Sequence, residues 1–273
     1  MKMMFTVLLS IYYKESVEYF DKCMKSIWDD QTLKPNEIVL VIDGSLPIEL
    51  DDKILLWKEK LKDILNIIRL EKNVGLGLAL QNGVEHCSYE YIARMDTDDI
   101  SMPDRFRKQV DFLNKHIEID VVGTYISEIN EKDEVLKELV KYPLTHTEML
   151  KFFKKRDPIA HPTAMFRKSF FERAGNYSSE LHLAEDTLLW FHGFLNNCKF
   201  ANINYVGLHF RRVNNFYLRR ADKKKIIQLF KFRITTLNRN LNFDFRADLY
   251  AFSYLILSVS PRIIKKFAYR IFR

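Results

Sequence analysis

The sequence predicts an α/β fold whose sheet presents its chemistry along one edge. Three observations carry this. Four short apolar runs alternate with helically spaced ones over the first half of the chain, the pattern of a sheet wound by right-handed crossovers. Two of those runs stop abruptly at aspartates, Asp43 and Asp96, and ligands of such sheets sit beyond the carboxyl ends of the strands. No Gly/Ser linker, internal repeat or low-complexity tract breaks the 273 residues, so a split into independent domains is not supported.

The elements follow in order. Phe5 to Ser10 reads as a buried first strand, followed by a helix with Tyr19, Phe20, Cys23, Met24 and Ile27 on one face. Glu37 to Ile42 is a second strand ending at the turn signal Asp43-Gly44. A helix through Leu55, Leu56 and Leu61 leads to a third strand, Ile67 to Leu70, and Asn73 to Gly77 opens the next helix. Tyr91 to Met95 is the fourth strand and runs into Asp96-Thr97-Asp98-Asp99; Pro103 then suits the first turn of a helix through Phe106, Val110 and Leu113. After a fifth strand, Val121 to Ile126, the alternation breaks down. His161 to Phe166 reads as an edge strand, because Pro162 cannot donate to an interior ladder. A helix from Glu185 to Leu195 and a strand from Asn202 to Phe210 close the regular part.

Composition narrows the class. Nearly half of the residues are hydrophobic and 29% are charged, which suits a packed globule rather than a disordered chain. Cys23, Cys87 and Cys198 are too far apart for a metal knot and odd in number, so a reducing, cytoplasmic setting is expected. No stretch reaches the roughly 18 apolar residues of a membrane span; Leu249 to Ser260 is the longest candidate. The net charge of +7 is unevenly spread: residues 211–273 hold 16 Lys or Arg against 3 Asp or Glu, whereas residues 1–210 hold 27 against 33. An acidic body thus carries a basic tail, and such a tail seeks phosphate.

Three carboxylates within four residues repel one another unless a cation or donor neutralises them. A hard divalent ion held by one or two of them together with substrate phosphates is the usual answer. The structural alternative is an Asp-rich turn capping the next helix through Asp99 or Ser101.

The motifs, taken in sequence, resemble those of glycosyltransferase family 2. Asp96-Thr97-Asp98-Asp99 with Pro103 and Arg105 resembles its D-x-D-D-x-x-x-P-x-R signature. Thr6 to Glu15 resembles the family's first strand and turn, and Ser26 to Thr32 its S-x-x-x-Q-T segment. Glu37 to Ser45 is similar to E-I-I-V-V-D-D-G-S, Asn73 to Gly83 to N-x-G-x-x-x-A-R-N-x-G, and Glu185 to Trp190 to E-D-x-D-L-W. The likeness implies a GT-A fold: a Rossmann-like, nucleotide-binding α/β/α sandwich with a mixed central sheet and here a C-terminal basic helical tail. Residues 1–210 would form the catalytic domain, with 1–118 binding the nucleotide sugar and 119–210 the acceptor, and residues 211–273 the tail.

The resemblance also assigns roles. Asp43 would accept from the base, uracil in most such enzymes, with Ser10, Tyr12, Asn73 and Gly75 lining the pocket. Asp96 would face ribose or metal, Asp98 would ligate Mn²⁺ or Mg²⁺ against the diphosphate, and Asp99 would support both. Asp186, preferred over Glu185, would take the proton of the acceptor hydroxyl in a single, inverting displacement. The chain departs from the family at Leu80, which replaces an arginine near the nucleotide loop, and at Tyr13, Gln81 and Leu188. Arg94 is the candidate to compensate at the phosphates.

Glu185, His161, Arg212, Arg219 and Arg220 are candidate acceptor or diphosphate contacts, each with a structural alternative. The partners implied are a UDP-sugar donor and a saccharide acceptor on polyprenyl diphosphate, with no nucleic acid. The basic face around Ile263, Phe267 and Ile271 suggests an anionic membrane surface, and hence a peripheral place on the inner face of the plasma membrane. Two rival readings are a haloacid-dehalogenase-type phosphatase, in which Asp96 would be the nucleophile, and a non-enzymatic adaptor.

Overall fold

The computed structural model describes residues 4–181, 183–213 and 222–259. Strands β1 (Phe5–Ile11), β2 (Glu37–Asp43), β3 (Leu65–Leu70) and β4 (Tyr91–Arg94) are all parallel, in the order β3-β2-β1-β4. They are connected by α1 (Val17–Trp28), α2 (Ile48–Leu61) and α3 (Leu76–Glu85). Both faces of this sheet are covered, which is why its strands read as unbroken apolar runs. Phe5, Val7, Leu9 and Ile11 of β1 pack with Phe20, Cys23, Met24 and Ile27 of α1 on one side. Leu8 points to the other, among Ala79, Leu80 and Val84 of α3. In α2 the buried residues are Leu50, Ile54, Trp57 and Leu61, while Leu55 and Leu56 lie exposed.

The second half adds β5 (Ile100–Ser101), α4 (Arg105–Lys115), β6 (Val121–Ile129), β7 (Val135–Val140), α5 (His146–Phe153), β8 (Met165–Arg167), α6 (Lys168–Ala174), α7 (Glu185–Leu195) and β9 (Phe200–Arg211). The sheet continues β4-β8-β6-β9-β5, with β7 paired to β6. Strands β8 and β5 run antiparallel to their neighbours, so the sheet is mixed.

The edge-strand expectation for His161 to Phe166 is corrected here. Pro162 lies in a single 3₁₀ turn, His161–Thr163, where its missing N–H leaves no ladder bond unmade. The strand proper begins after it, and β8 is interior, bonded to β4 on one side and β6 on the other.

Strand β9 runs through Arg211. Beyond it, α8 (Lys223–Phe232), a π-helical turn (Arg233–Leu237), one turn at Asn238–Asn240 and α9 (Phe245–Val259) follow. Phe232, Leu237 and Leu241 of this segment join the core on the α3 side of the sheet. Arg219, Arg220, Ile263, Phe267 and Ile271 lie outside the described residues. Among the described residues no helix is long and apolar enough to cross a membrane. All three cysteines are buried and free.

Candidate active site

The carboxyl ends of β1, β2 and β4 gather the predicted residues on one edge. At the end of β2, Asp43 turns its carboxylate onto the loop that opens α3: Oδ1 accepts from Val74 N at 2.7 Å and Oδ2 from Gly75 N at 3.0 Å. Asn73 Nδ2 donates back to the Asp43 carbonyl at 3.2 Å. Gly44 makes this closure possible, because its φ is +84° and a Cβ there would lie 2.6 Å from Asn73 N. Asp43 and Asn73 therefore hold one another, while Ser10 and Tyr12, both half-buried, follow on the neighbouring strand end. Leu80, at the family's arginine position, is fully buried in the core.

At the end of β4, carboxylate oxygens of Asp96, Asp98 and Asp99 all lie within 4.8 Å of one another. Neither Asp99 nor Ser101 caps a helix; α4 starts after Asp104. Asp99 is fully buried, with Oδ1 accepting from Arg211 N at 2.7 Å and Oδ2 buried without a partner. Burial, with Asp98 and Asp96 beside it, pushes its pKa well above the usual carboxylate range. A buried carboxyl oxygen without a partner, beside two further carboxylates, fits a hard divalent cation, which would favour the ionised form. Mn²⁺ or Mg²⁺ held by Asp98 and Asp96 suits this donor set.

Three buried arginines back the cluster from inside the protein. Arg94 is ion-paired with Asp96, while its Nε and Nη1 are buried without partners. Burial opposes the Arg94 charge, but Asp96, Tyr177 and Glu185 outweigh it and raise its pKa. Arg105, the arginine of the acidic signature, donates to Arg94 O at 2.7 Å and to Gln109 at 3.0 Å. Its burial lowers its pKa to about 9 even with Asp99 nearby. Arg211 ties three elements together: Nε donates to Asp98 O at 2.7 Å and Nη1 to Asn130 O at 3.0 Å, the side chain is ion-paired with Asp133 at 2.5 Å, and the guanidinium stacks 4.2 Å over Tyr19. Arg211→Met should destabilise the protein by about 1–3 kcal/mol, since the carbonyls of Asp98 and Asn130 lose a donor and Asp133 loses an ion pair, while the bond from Arg211 N to Asp99 stays. Urea unfolding at neutral pH measures this.

The Ser26 to Thr32 motif acts as a brace. Ser101 N donates to Ser26 Oγ at 3.0 Å, and Gln31 Nε2 donates to Ser26 O and Met102 O at 2.6 and 2.9 Å. Glu15 Oε2 accepts from Thr97 Oγ1 at 2.5 Å. Partners 75 and 82 residues away in sequence thus fix the same acidic turn.

Helix α7 brings the second acidic pair. Asp186 is half-buried at its first turn, and its Oδ1 accepts from Thr187 N at 2.8 Å. Burial, together with Asp157 and Glu185, pushes its pKa up to about 7, against the pull of Lys225. Thr187 Oγ1 anchors Asp157 at 2.8 Å. Tyr177 lies within electrostatic reach of Arg94, Asp186, Glu185 and Asp96 together, so both acidic groups share one neighbourhood. His161 is buried beneath them, its Nε2 bonded to the Tyr177 hydroxyl at 2.8 Å. Burial and Arg94 hold its pKa well below the ordinary value, so the ring is neutral. Arg212 pairs with buried Glu128 at 2.9 Å, and His209 bonds Ser127. Helix α3 reaches α7 at Gly77, where a Cβ would lie 2.8 Å from Ser178 O and 3.2 Å from Glu185 Cβ.

The model of glycosyl transferase family 2 matches residues 7–175. The chain belongs to glycosyltransferase family 2. The amylovoran biosynthesis glycosyltransferase AmsE of Erwinia amylovora is 39% identical over 187 residues, 68% of each chain. An Escherichia coli UDP-Gal:alpha-D-GlcNAc-diphosphoundecaprenol beta-1,3-galactosyltransferase is 30% identical over 259 residues, covering 95% of this chain and 90% of that protein. Among solved structures, S. aureus TarS 1–349 in complex with UDP-GlcNAc aligns with a TM-score of 0.61 at 18% identity, over 96% of this chain and 83% of that one. The mannosyltransferase PcManGT of Pyrobaculum calidifontis, in complex with GDP-Man and Mn2+, aligns with a TM-score of 0.64 at 17% identity, over 92% and 69%. The glycosyltransferase has the GT-A fold these structures share, and the phosphatase and adaptor readings are set aside by the family.

In the sequence of this glycosyltransferase nothing marks Asp157, or the places that Arg211 and Gly77 take at the site. Arg211 reads as one cation of a basic segment, and nothing local to it points to the Asp98-Asp99 turn over a hundred residues away. The arginine of the D-x-D-D-x-x-x-P-x-R signature was noticed, but its place behind the acidic turn needed the fold.

Proposed function

We propose that this enzyme transfers a sugar, with inversion, from a UDP-linked donor to a hydroxyl of a saccharide carried on polyprenyl diphosphate, during assembly of a bacterial capsule, exopolysaccharide or O-antigen. The observation that carries the reading is Asp186: a carboxylate lifted to about 7 on a helix end that shares its surroundings with the Asp96–Asp99 cluster. A general base works best when its pKa lies near the working pH.

Asp186 takes the proton of the acceptor hydroxyl as that oxygen bonds to the anomeric carbon. The bond from that carbon to the diphosphate oxygen breaks on the opposite face, and the nucleoside diphosphate departs. Glu185 and Arg94 would orient donor hydroxyls and phosphate, and Asp43 holds the Asn73–Gly75 loop where the base would rest. Asp98 and Asp96 would hold Mn²⁺ or Mg²⁺, which when bound neutralises charge on the leaving diphosphate. The similarity to proteins named for UDP-Gal transfer onto a diphosphoundecaprenol-linked sugar and for amylovoran synthesis supports the donor, acceptor and pathway. The expected place of work is the cytoplasmic face of the membrane.

A thermal-shift series tests the donor half. UDP with Mn²⁺ should raise stability by about 2.7 kcal/mol at a hundred times its Kd, and UDP without metal by much less. A shift that is equally large with and without the ion would overturn the metal assignment.

A further inference from the structure

Helix α9 faces the wrong way for an element that merely packs on a body. Its buried residues include Ala247 and Ala251, whereas Phe245, Leu249, Phe252 and Ile256 are 69%, 57%, 48% and 64% exposed. These four recur at i, i+4, i+7 and i+11, one continuous stripe about 16 Å long. Phe243 and Tyr254 widen it at 56% and 48% exposed. An apolar patch of this kind on a protein surface marks an interaction site.

The charges around the stripe specify the partner. Residues 222–259 carry seven Lys or Arg against three Asp. All three acids are engaged, Asp248 with Asn238 and Arg239, Asp222 with Lys225 N as the cap of α8, and Asp244 with Arg246 N. Arg246 is exposed beside Phe245, and Arg239 lies over the Phe243 ring at 4.4 Å. Large apolar side chains rimmed by cations suit an anionic bilayer, with the helix lying in the headgroup plane.

The helix is also tied to the catalytic body at a useful place. Lys154 Nζ donates to Asn242 O, Arg233 Nη1 to Phe153 O at 2.9 Å, and Lys155 stands 6.0 Å over the Tyr250 ring. Lys155 in turn lines a groove of about 710 Å³ with Lys141, Lys151, Tyr142 and Phe152, where Glu148 is the one acid among the described residues. We infer that the Phe245–Ile256 face of α9 seats the enzyme on an anionic lipid surface, bringing this lysine-lined groove to headgroup level. The purpose of that placement rests on the proposed use of a lipid-carried acceptor; the contact itself does not.

Flotation of the full chain with vesicles tests it. The wild type should rise with phosphatidylcholine vesicles containing phosphatidylglycerol, less so with added salt, and weakly with phosphatidylcholine alone. Phe245→Glu with Leu249→Glu, both at exposed positions, should cut that partition about tenfold or more while Tm and transfer onto a water-soluble acceptor stay unchanged. The inference is overturned if the wild type does not float, if the double variant floats equally well, or if light scattering shows a dimer that the double variant dissolves. Absence of transfer onto any water-soluble acceptor by a wild type that floats would count against the proposed reaction and leave the lipid contact standing.

Discussion

Asp186→Asn should lower the rate of sugar transfer by about 10²–10⁴-fold and, at the same time, raise the melting temperature. The two effects share one cause. Burial and the nearby Asp157 and Glu185 make the ionised carboxylate costly in the folded protein and push its pKa up to about 7. The folded-state value is thus raised above the unfolded one near 3.8. Such a group favours folding fully only below the unfolded pKa, and that contribution is lost as pH rises through about 7. The amide has no charge to lose, so its advantage over wild type should grow between about pH 4 and 7 and level off above. Each kcal/mol corresponds to about 2–4 °C in a domain of this size, so a gain of a few degrees at pH 8 is expected by scanning calorimetry. Wild-type kcat should climb with pH through about 7 as the base deprotonates, and a flat profile would remove Asp186 from the proton transfer.

Asp98→Asn should abolish the metal-dependent part of nucleotide binding and reduce transfer by about 10²–10³-fold, several kcal/mol of charge stabilisation being at stake. The apo protein should become more stable, not less. Asp98 contributes the largest charge effect opposing ionisation of buried Asp99, and removing it eases a like-charge contact that Arg94 and the Arg211 N–H offset only in part. Isothermal titration of UDP with and without Mn²⁺ and a thermal scan of the apo protein together check both halves. Retained metal-dependent binding would shift the ligand role onto Asp96 and Asp99.

The parts of this protein legible in its sequence are those written in local periodicity. The four parallel strands were readable because both their faces are buried, and α7 was bounded correctly, Glu185 to Leu195, by its acidic start and apolar body. The acidic turn was legible because carboxylates so crowded have few structural uses. What escaped depends on distant pairing. β8 reads as an edge because of Pro162, yet the proline sits one turn before the strand. Arg211 reads as one more tail cation, and only the parallel pairing of β9 with β6 delivers it to Asp98 and Asp99. The apolar run after Leu249 was read for its length against a membrane span, whereas its meaning lies in the stripe that begins at Phe245, which appears once the alanines are seen to face inward.

Gly77 has a consequence for how this enzyme diversifies. With no side chain there, the helix that begins at the donor loop rests directly on the backbone of Ser178 and the stem of Glu185. On the proposed reaction, a change that resculpts the donor pocket would therefore press on Glu185, beside the proposed base Asp186. Choice of what is given and choice of what receives would then be mechanically joined, and new pairings are expected to arise by coordinated replacement on both sides of this contact rather than one at a time.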